Sequence, residues 1–568
     1  MDNDNLPSLE SILSVSVRIH SHVPGYCQRL WKEAFSTCLS SVLFKKDLTS
    51  WKKLAMISKC LLLKPKRAGR KSKRSTKNWT LDRFEKWKRG DIMDLWSETL
   101  KYKNLSNNIQ ETSPEIEQQR RCISLAREGS ASKALQSLTQ SPIAPSNDLT
   151  HEQLKSKHPT AESPQNLQDF NPPKNIDFNI DQIMSIFPKS TAEGPSGLRI
   201  DHIKEALNMD KDKNSDFRRT TKDFINYLLS GSIPSQIKYY IGGARLIALV
   251  KPNKDLRPIA IGESFRRISS KVICRDCQTD IQDYFSNLQY GNQKRGCETV
   301  IHKINAALES LKNWCMLKVD IENAFNSVDR KSFLDQMAIH FPRAYNWSKW
   351  LYEEHTPLLF SDYVLWSETG VQQGDPLGPL LFCAAIHPIL EKINKECNLD
   401  INAWYLDDGN LLGDPEKLFH AWEILSTELP KIGLHLKASK SEWITSTDIL
   451  GPKGVKTTPK DELIILGTPL GSKEFCLKFL DEIIQSNSII AEKLLNLDDS
   501  QISLWLFRYG ISMASIVHLL RTIPGAKIQE GLERYDYYVG YYFERIIGTI
   551  LNKNAKTQYR LPIRKGGF

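Results

Sequence analysis

The chain has 568 residues, of which 40% are hydrophobic and 25% charged, a balance typical of globular proteins. Its length predicts about three to four domains. The sequence lacks the roughly 20 consecutive apolar residues of a membrane-spanning helix, and its acidic, polar start is unlike a signal peptide. We therefore expect no membrane partner. The net charge of +11 favours a polyanionic partner, although a solvated basic surface would carry the same charge.

The 11 cysteines lack the spacing of a disulfide or zinc framework. Cys274 and Cys277 form one CxxC, but no second CxxC or spaced histidine pair follows, and a zinc site needs four ligands. We therefore expect reduced thiols in an intracellular protein.

Apolar residues in the first 62 positions recur at helical spacing, for example Leu30, Trp31 and Phe35. The basic run KPKRAGRKSKRSTK follows at residues 64–77, with eight Lys or Arg in 14 residues. Such a run repels itself and stays extended unless it meets an anion, which suits a nucleic-acid arm or a nuclear import signal. A solvated linker is the alternative.

Composition divides the remaining chain into three parts. Residues 104–175 are rich in Ser, Asn, Gln and Pro, which is typical of a linker, apart from one predicted helix between Glu115 and Leu138. Strand-like and helical patterns then alternate, and helical patterns alone follow. We predict a helical N-terminal extension at 1–110, a helical connector and linker at 111–189, a mixed region of helices and strands at 190–471 and a helical region at 472–568.

Asp320 follows a short apolar run, Cys315 to Val319, that predicts a buried strand. A carboxylate at the end of a strand faces the open edge of a sheet, where ligands bind. The alternative is a helix cap, because a helical pattern comes next.

Asp407 and Asp408 stand in the segment NAWYLDDGN, residues 402–410, between two apolar runs. Asp-Gly in that setting predicts a β-hairpin turn. Consecutive strand residues point to opposite faces, so two adjacent carboxylates approach one site only near a turn. A polar turn without a function is the alternative.

Three carboxylates of this kind suit hard divalent cations. Magnesium prefers oxygen ligands and binds through one or two carboxylates, with waters and substrate phosphates completing the shell. Two such ions about 4 Å apart can stabilise the attacking and the leaving oxygen of an in-line displacement. If the fold brings the acids together, they predict nucleotidyl transfer.

Four segments carry a resemblance to a known family. They are VDIENAF at 319–325, GVQQGDPLGPLLF at 370–382, YLDD at 405–408 and GLHLKASKSE at 433–442. In this order they resemble the successive motifs of reverse transcriptases, above all those of non-long-terminal-repeat retrotransposons. GPSG at 194–197 resembles the early loop of the same family.

The resemblance implies an α+β fold, the right-hand polymerase with fingers, palm and thumb. Fingers and palm would occupy 190–471, the palm being an antiparallel sheet flanked by helices, and 472–568 would be a helical thumb behind a helical, basic N-terminal extension. The family usually continues beyond a segment like the final LPIRKGGF, which favours a truncated thumb or a fragment of a larger polyprotein.

The resemblance also implies a metal centre of two Mg²⁺ ions, with Mn²⁺ as a substitute. The residues implied as its ligands are the carboxylates of Asp320, Asp407 and Asp408 and the backbone carbonyl of Ile321. Lys440 matches a lysine that helps to protonate the leaving pyrophosphate, and an ordinary surface lysine is the alternative.

The family's nucleotide-binding positions fall on three segments of this chain. Phe325 matches the residue that excludes the ribose 2′-hydroxyl and so selects deoxynucleotides; an ordinary core aromatic is the alternative. Gln373 and Gly374 match the loop that seats nucleotide and template. The basic groups implied to grip the triphosphate lie between two predicted strands at 244–262, and they are Lys251, Lys254 and Arg257, with the choice between the two lysines left open.

The primer side of the site rests on two further matches. ILGTPLGS at 465–472 resembles the turn that grips the primer strand, where Gly467 and Gly471 suit a tight turn beside another backbone. Tyr405 of the YLDD segment is assigned to primer and template contact.

These matches imply an RNA-directed DNA polymerase that takes an RNA template, a DNA or RNA primer and dNTPs, in the nucleus and/or the cytoplasm. The sequence shows no endonuclease signature, so target cleavage would come from a separate endonuclease. Two alternatives stay open. One is an RNA-dependent RNA polymerase on the same scaffold, against which Phe325 argues, and the other is a catalytically inactive or domesticated protein that only binds RNA.

Overall fold

The structure is a computed structural model that describes most of the chain. The described residues are 6–65, 73–103, 114–139, 143–210, 212–251, 253–311, 314–445 and 449–567. The centre of the predicted basic run, residues 66–72, lies outside them.

The N-terminal extension is helical, as its apolar spacing predicts. Trp31 and Phe35 lie on one buried face, and the Asp47 side chain accepts the Ser50 N–H at 2.7 Å to begin the third helix. The helices are α1 (Leu9–Ser14), α2 (Gln28–Lys45), α3 (Leu48–Leu61), α4 (Lys73–Arg89) and α5 (Ile92–Leu100).

The described part of the connector contains four helices. The single helix predicted between Glu115 and Leu138 is two helices, because the chain turns at Gly129, where φ is +80°. The helices are α6 (Pro114–Arg127), α7 (Ala131–Thr139), α8 (Asp148–Ser156) and α9 (Ile180–Ile186).

The mixed region begins with helices and a hairpin. Its first elements are α10 (Ile200–Asn208), α11 (Asp216–Leu229), β1 (Ala244–Val250), β2 (Leu256–Gly262), α12 (Ser264–Asp276), α13 (Gln278–Phe285) and α14 (Gly296–Ser310). The following elements are β3 (Cys315–Val319), α15 (Ala324–Ser327), α16 (Arg330–His340), α17 (Pro342–Tyr352), β4 (Thr356–Phe360), β5 (Tyr363–Ser367) and α18 (Gly378–Cys397). The last are β6 (Ile401–Tyr405), β7 (Asp408–Gly413), α19 (Pro415–Glu428), β8 (Glu442–Thr445), β9 (Lys456–Pro459), β10 (Ile464–Ile465) and β11 (Thr468–Pro469).

Two larger sheets organise this region. The fingers sheet has the order β2-β1-β4-β5, and the palm sheet has the order β6-β7-β3-β8-β9. Neighbouring palm strands are antiparallel except for β8 and β9, which run parallel, so the prediction of an antiparallel palm holds for four of the five strands. The α+β prediction is confirmed.

The C-terminal region is helical. Its helices are α20 (Lys473–Leu495), α21 (Ser500–Leu506), α22 (Val517–Thr522), α23 (Gly525–Ile547) and α24 (Lys553–Tyr559). Their core also takes in Cys122, Leu135 and Leu138, so α6 and α7 of the connector pack with these later helices. Of the tyrosines on α23, Tyr535, Tyr538 and Tyr542 are buried in that core, whereas Tyr537 is 76% exposed.

Ser500–Thr522 is long and apolar enough, by length and composition, to span a membrane. In the structure this stretch is broken into α21, two short irregular helices and α22, and its residues Leu506, Phe507 and Leu519 are buried in the helical core. A segment folded in this way is weak evidence for a membrane span.

The N-terminal extension and the mixed region share one hydrophobic core. At their junction His202 is fully buried: its Nε2 donates to the His20 carbonyl at 2.8 Å, and its Nδ1 accepts the Arg199 N–H at 3.2 Å. Both ring nitrogens are therefore used by the neutral imidazole. The GPSG loop is tied in nearby, because the buried carboxylate of Glu263 accepts the N–H and the hydroxyl of Ser196, at 2.6 and 2.7 Å.

The neutral state of His202 makes this junction sensitive to acid. Burial lowers the pKa of His202 from 6.5 to about 3, so between these values the unfolded chain binds a proton that the folded chain does not. Stability falls as pH drops through that window, and His202 has no effect above it. We expect His202→Gln to flatten the fall in the urea unfolding midpoint between pH 6.5 and pH 3. The same substitution at the exposed His302 should leave the fall as steep as in the wild type, and equal slopes in all three proteins would contradict the assignment.

Candidate active site

Asp320 leaves the palm sheet at the end where the β6–β7 hairpin turns. Val319, the last residue of β3, pairs with Gly409 in β7, so one further step along the register brings Asp320 opposite Asp408. The Asp320 N–H donates to the Ser441 hydroxyl at 3.1 Å, and its carbonyl accepts the Lys437 N–H at 2.9 Å. The backbone of Asp320 is thus held by the segment that leads into β8.

The hairpin that was predicted around Asp408 and Gly409 exists, but its turn lies two residues earlier. Tyr405 pairs with Asp408, which leaves Leu406 and Asp407 as the turn and Asp408 as the first residue of β7. Leu406 supplies the positive φ, 58°, that such a turn needs. Gly409 is a strand residue, where an added Cβ would lie 2.6 Å from the Trp404 ring.

The three carboxylates influence one another electrostatically. Burial raises the pKa of Asp407 from 3.8 to about 6, with smaller contributions in the same direction from the charges of Asp408 and Asp320. Burial and then the charge of Asp320 raise the pKa of Asp408, and burial raises the pKa of Asp320. The acids that are distant in sequence therefore lie within electrostatic range at one end of the sheet.

The donor set at this end of the sheet fits a magnesium centre. It consists of carboxylate oxygens, which hard divalent cations prefer. Within the described ranges, no group of three or more His, Cys, Asp or Glu side chains is close enough to enclose a cation unaided. An open set of this kind suits Mg²⁺, which takes one or two carboxylates and fills the remaining positions with waters and phosphates.

Ile321 and Lys440 lie beside Asp320. Ile321 is buried and forms an isolated antiparallel bridge with Leu436. Lys440 is exposed in the turn before β8, and its charge, with those of Lys437 and Lys251, lowers the pKa of Asp320 against the effect of burial. Lys437, which the sequence did not single out, also pairs with the Glu322 carboxylate.

The β1–β2 hairpin carries three basic residues that differ in their effect on the carboxylates. Lys251 acts on Asp320, and Arg257 lowers the pKa of Asp407 against burial, so both lie near the acids. Lys251 also lies 3.6 Å from the Asp255 carboxylate. Lys254 is exposed at the tip of the hairpin with φ 65°. Lys251 and Arg257 are thus the residues of this hairpin whose charges are seen to act on the carboxylates.

Phe325 is half-buried on α15, just beyond the carboxylates. Its ring stacks on Phe382 of α18, with centroids 4.9 Å apart and planes 17° apart, and its carbonyl accepts the Val371 N–H at 2.7 Å. The ring is therefore fixed between two elements and keeps a partly exposed face.

Gln373 and Gly374 lie against the fingers sheet. The Gln373 carbonyl accepts the Ala260 N–H at 2.8 Å. Gly374 has φ +119°, and a Cβ there would lie 2.4 Å from the Ala260 carbonyl oxygen, so only glycine fits without a shift.

The next residue, Asp375, anchors this loop, and its Oδ1 accepts the Leu377 N–H at 3.1 Å just before α18. Its carboxylate pairs with the Arg266 guanidinium at 2.7 Å and accepts the Tyr352 hydroxyl at 2.8 Å, and both charged side chains are at most 1% exposed. The helix begins later, at Gly378.

The predicted primer turn is a small hairpin, β10–β11, next to the thumb. Its tip is Leu466 and Gly467, both with positive φ, and the Leu466 carbonyl accepts from His518 of α22 at 3.2 Å. Gly471 lies against another backbone, since a Cβ there would come 1.7 Å from the Asp461 carbonyl oxygen. Tyr405 is half-buried at the end of β6, on the other side of the turn from Asp408.

The comparisons with known proteins agree with the motifs. Residues 249–470 match the family described as reverse transcriptase (RNA-dependent DNA polymerase). The chain is also similar to the retrotransposable element SLACS 132 kDa protein of Trypanosoma brucei gambiense, with 22% identity over 377 residues. The match covers 64% of this chain and 30% of that protein, so the chain spans under a third of the length of this curated relative.

Two solved structures are similar at a low level. They are telomerases from Candida albicans and Candida tropicalis, each in complex with the TWJ fragment of telomeric RNA. Both have a TM-score of 0.33 and 11% identity, covering 58% and 63% of this chain and 64% and 71% of theirs. A TM-score of 0.33 is too low to establish a shared topology.

The buried pair of Arg266 and Asp375 predicts an asymmetric response to mutation. Asp375→Ala leaves the guanidinium buried without its counter-charge and should lower the free energy of unfolding by about 3–5 kcal/mol. The double variant Asp375→Ala/Arg266→Met removes both charges and should lose less. Asp335→Ala, which breaks a pair whose side chains are 42% exposed, should cost at most about 1 kcal/mol. Urea unfolding measures all three, and a double variant less stable than Asp375→Ala would contradict the expectation.

Proposed function

We propose that this chain, whose residues 249–470 form a reverse transcriptase domain, copies RNA into DNA by adding dNTPs to a primer 3′-hydroxyl. The observation that carries the proposal is the gathering of Asp320, Asp407 and Asp408 at one end of the palm sheet, where their charges act on one another. Asp320 and Asp407 are almost ninety positions apart in the chain. A simple turn at one position and a helix cap at the other would not explain why the two carboxylates lie close together. The template is RNA, and the primer is DNA or RNA.

The proposed cofactor is a pair of Mg²⁺ ions, for which Mn²⁺ substitutes. The carboxylates of Asp320 and Asp407 and the carbonyl of Ile321 would hold them, and Asp408 would add negative charge beside them. When bound, such ions neutralise the triphosphate and stabilise the attacking and leaving oxygens.

The basic residues around the acids have separate proposed tasks. Arg257 and Lys251 bind the triphosphate of the incoming nucleotide. The charge of each acts on one of the aspartates, and neither side chain is buried. Lys254, at the exposed tip of the same hairpin, is the alternative to Lys251 for this contact. Lys440 holds a proton near Asp320 and delivers it to the leaving pyrophosphate.

The remaining positions orient the nucleic acids. Phe325 presents its ring to the sugar and excludes a 2′-hydroxyl, and Gln373 and Gly374 seat the base pair on the fingers sheet. Gly467, Gly471 and Tyr405 contact the primer and template. Target cleavage comes from a separate endonuclease, and the protein acts in the nucleus and/or the cytoplasm.

Two other functions make different predictions. A catalytically inactive protein that only binds RNA would show salt-sensitive binding and no primer extension. An RNA-dependent RNA polymerase would extend a primer with ribonucleotides.

Removal of one carboxylate tests the metal assignment. Asp407→Asn and Asp320→Asn should each abolish Mg²⁺-dependent extension of a primer on an RNA template. The loss should exceed the roughly 10- to 100-fold that the loss of an outer-shell group costs at metal sites. Binding of the primer–template should stay near the wild-type level, because neither variant removes a basic group.

The matched control is Asp362→Asn, at an exposed turn between β4 and β5, which should extend like the wild type. Comparable extension by Asp407→Asn and the wild type would refute the metal role of Asp407. No extension by the wild type, together with salt-sensitive RNA binding, would favour the inactive alternative.

A second substitution tests the choice of sugar. Phe325→Ala removes the ring that would clash with a 2′-hydroxyl, so it should lower the ratio of kcat/KM for dNTPs to that for rNTPs by about tenfold or more. Single-nucleotide incorporation by both proteins measures this ratio. Phe382→Leu, which removes the stacking partner while leaving Phe325 in place, is the control and should change the ratio less. An unchanged ratio in Phe325→Ala would show that another residue selects the sugar.

A further inference from the structure

The turn that carries Asp407 is held by a side chain 117 positions away, Gln289. Gln289 lies between α13 and α14 and is fully buried. Its Oε1 accepts the Leu406 N–H at 2.8 Å, and its Nε2 donates to the Leu406 carbonyl at 3.0 Å. The same Oε1 also accepts the Gly291 N–H at 3.1 Å.

The backbone around Gln289 keeps the carboxamide in this position. Residues 288–290 lie along the edge of β6, where the Trp404 N–H donates to the Leu288 carbonyl at 2.8 Å. On the other side, the Tyr290 N–H donates to the Trp404 carbonyl at 2.7 Å. A Cβ on Gly291 would lie 2.4 Å from a methyl carbon of Leu406, so the loop and the turn are in close contact. The side chain of Gln289 therefore cannot leave the turn without the whole edge moving.

Leu406 needs such a partner more than most turn residues do. Its φ is 58°, a conformation that residues with a branched side chain rarely adopt. Its N–H and carbonyl belong to a two-residue turn and find no strand partner, and a buried backbone group without a hydrogen bond is costly. The carboxamide of Gln289 satisfies both groups at once and so favours the one backbone conformation that fits.

We propose that Gln289 is a positioning residue for the carboxylates: by holding Leu406 in its left-handed conformation, it sets where Asp407 and Asp408 stand relative to Asp320. The role of these acids in metal binding rests on the proposed function. The hydrogen bonds by which Gln289 holds the turn do not depend on it. The side chain of Gln289 bonds to the backbone of Leu406 and Gly291, so it would act on the carboxylates only through the hairpin.

Hydrogen exchange tests the grip without any activity. In Gln289→Leu the Leu406 amide loses its acceptor, so exchange in peptides covering 401–412 should speed up by about tenfold or more relative to the wild type. Gln293→Leu is the matched control. Gln293 donates to the Gln289 carbonyl at 3.0 Å within the same loop but does not contact the hairpin, so its loss should leave 401–412 unchanged. Equal exchange of 401–412 in Gln289→Leu and the wild type would overturn the proposal.

Direct Mn²⁺ binding tests the consequence for the acids. Free Mn²⁺ measured by electron paramagnetic resonance should show about tenfold weaker binding by Gln289→Leu, as is usual when an outer-shell group at a metal site is lost. Adding Leu406→Gly to Gln289→Leu should restore part of the affinity, because glycine adopts positive φ without steric cost. A merely structural role would give no such rescue.

Each outcome separates the two claims. If the wild type neither binds Mn²⁺ nor extends a primer, the proposed function fails, while the exchange experiment still decides whether Gln289 holds the turn. If the wild type binds and extends, unchanged Mn²⁺ affinity in Gln289→Leu overturns the positioning role. Should Gln289→Leu not fold, Gln289→Met takes its place, because it is uncharged, close to glutamine in length and lacks both hydrogen-bonding groups; the same increase in exchange and loss of Mn²⁺ affinity are expected, and their absence would overturn the proposal.

Discussion

Burial of the carboxylates of Asp320, Asp407 and Asp408 close to one another is the constraint around which the centre of this protein is built. Burial and neighbouring negative charge raise the pKa of Asp407 and Asp408. Bringing the ionised carboxylates together therefore costs folding free energy. Backbone pairing between β3 and β7 holds the acids together, because its register sets Val319 opposite Gly409. A slip of one residue would turn Asp320 to the other face of the sheet.

The surroundings of these acids supply the opposite charge from separate elements. Arg257 comes from β2, Lys251 from the β1–β2 hairpin and Lys440 from the turn before β8, and all three counter the rise in a carboxylate pKa. The loop at Gln373 joins this arrangement from the other side, where it bonds to the fingers sheet. In the proposed function, these basic groups and the cations held by the acids would together neutralise the triphosphate, as phosphoryl transfer requires.

Much of this centre is predictable from sequence, because short apolar runs that end in acids specify buried strands. The strand before Asp320, the hairpin at Asp407 and the helical N-terminal extension all follow from local patterns. The position of the turn does not, since local chemistry favours Asp-Gly, whereas Leu406 turns with the help of a side chain 117 residues away.

Other differences have the same origin in contacts between distant residues. Asp375 and Pro376 have the local pattern of a helix start, and Asp375 does accept the Leu377 N–H, but its carboxylate also pairs with the distant Arg266 and the helix begins only at Gly378. The packing of α7 against the C-terminal helices depends on apolar residues such as Leu135, whose partners lie more than 340 positions later, and no periodicity within α7 can identify them.

The most direct test is anomalous diffraction from Mn²⁺ in crystals of the protein with a primer–template and a dNTP analogue that cannot react. Manganese peaks within coordination distance of the Asp320 and Asp407 carboxylates are the predicted result. Manganese peaks elsewhere, or a density map in which these carboxylates bind only lysine or arginine, would contradict the central claim.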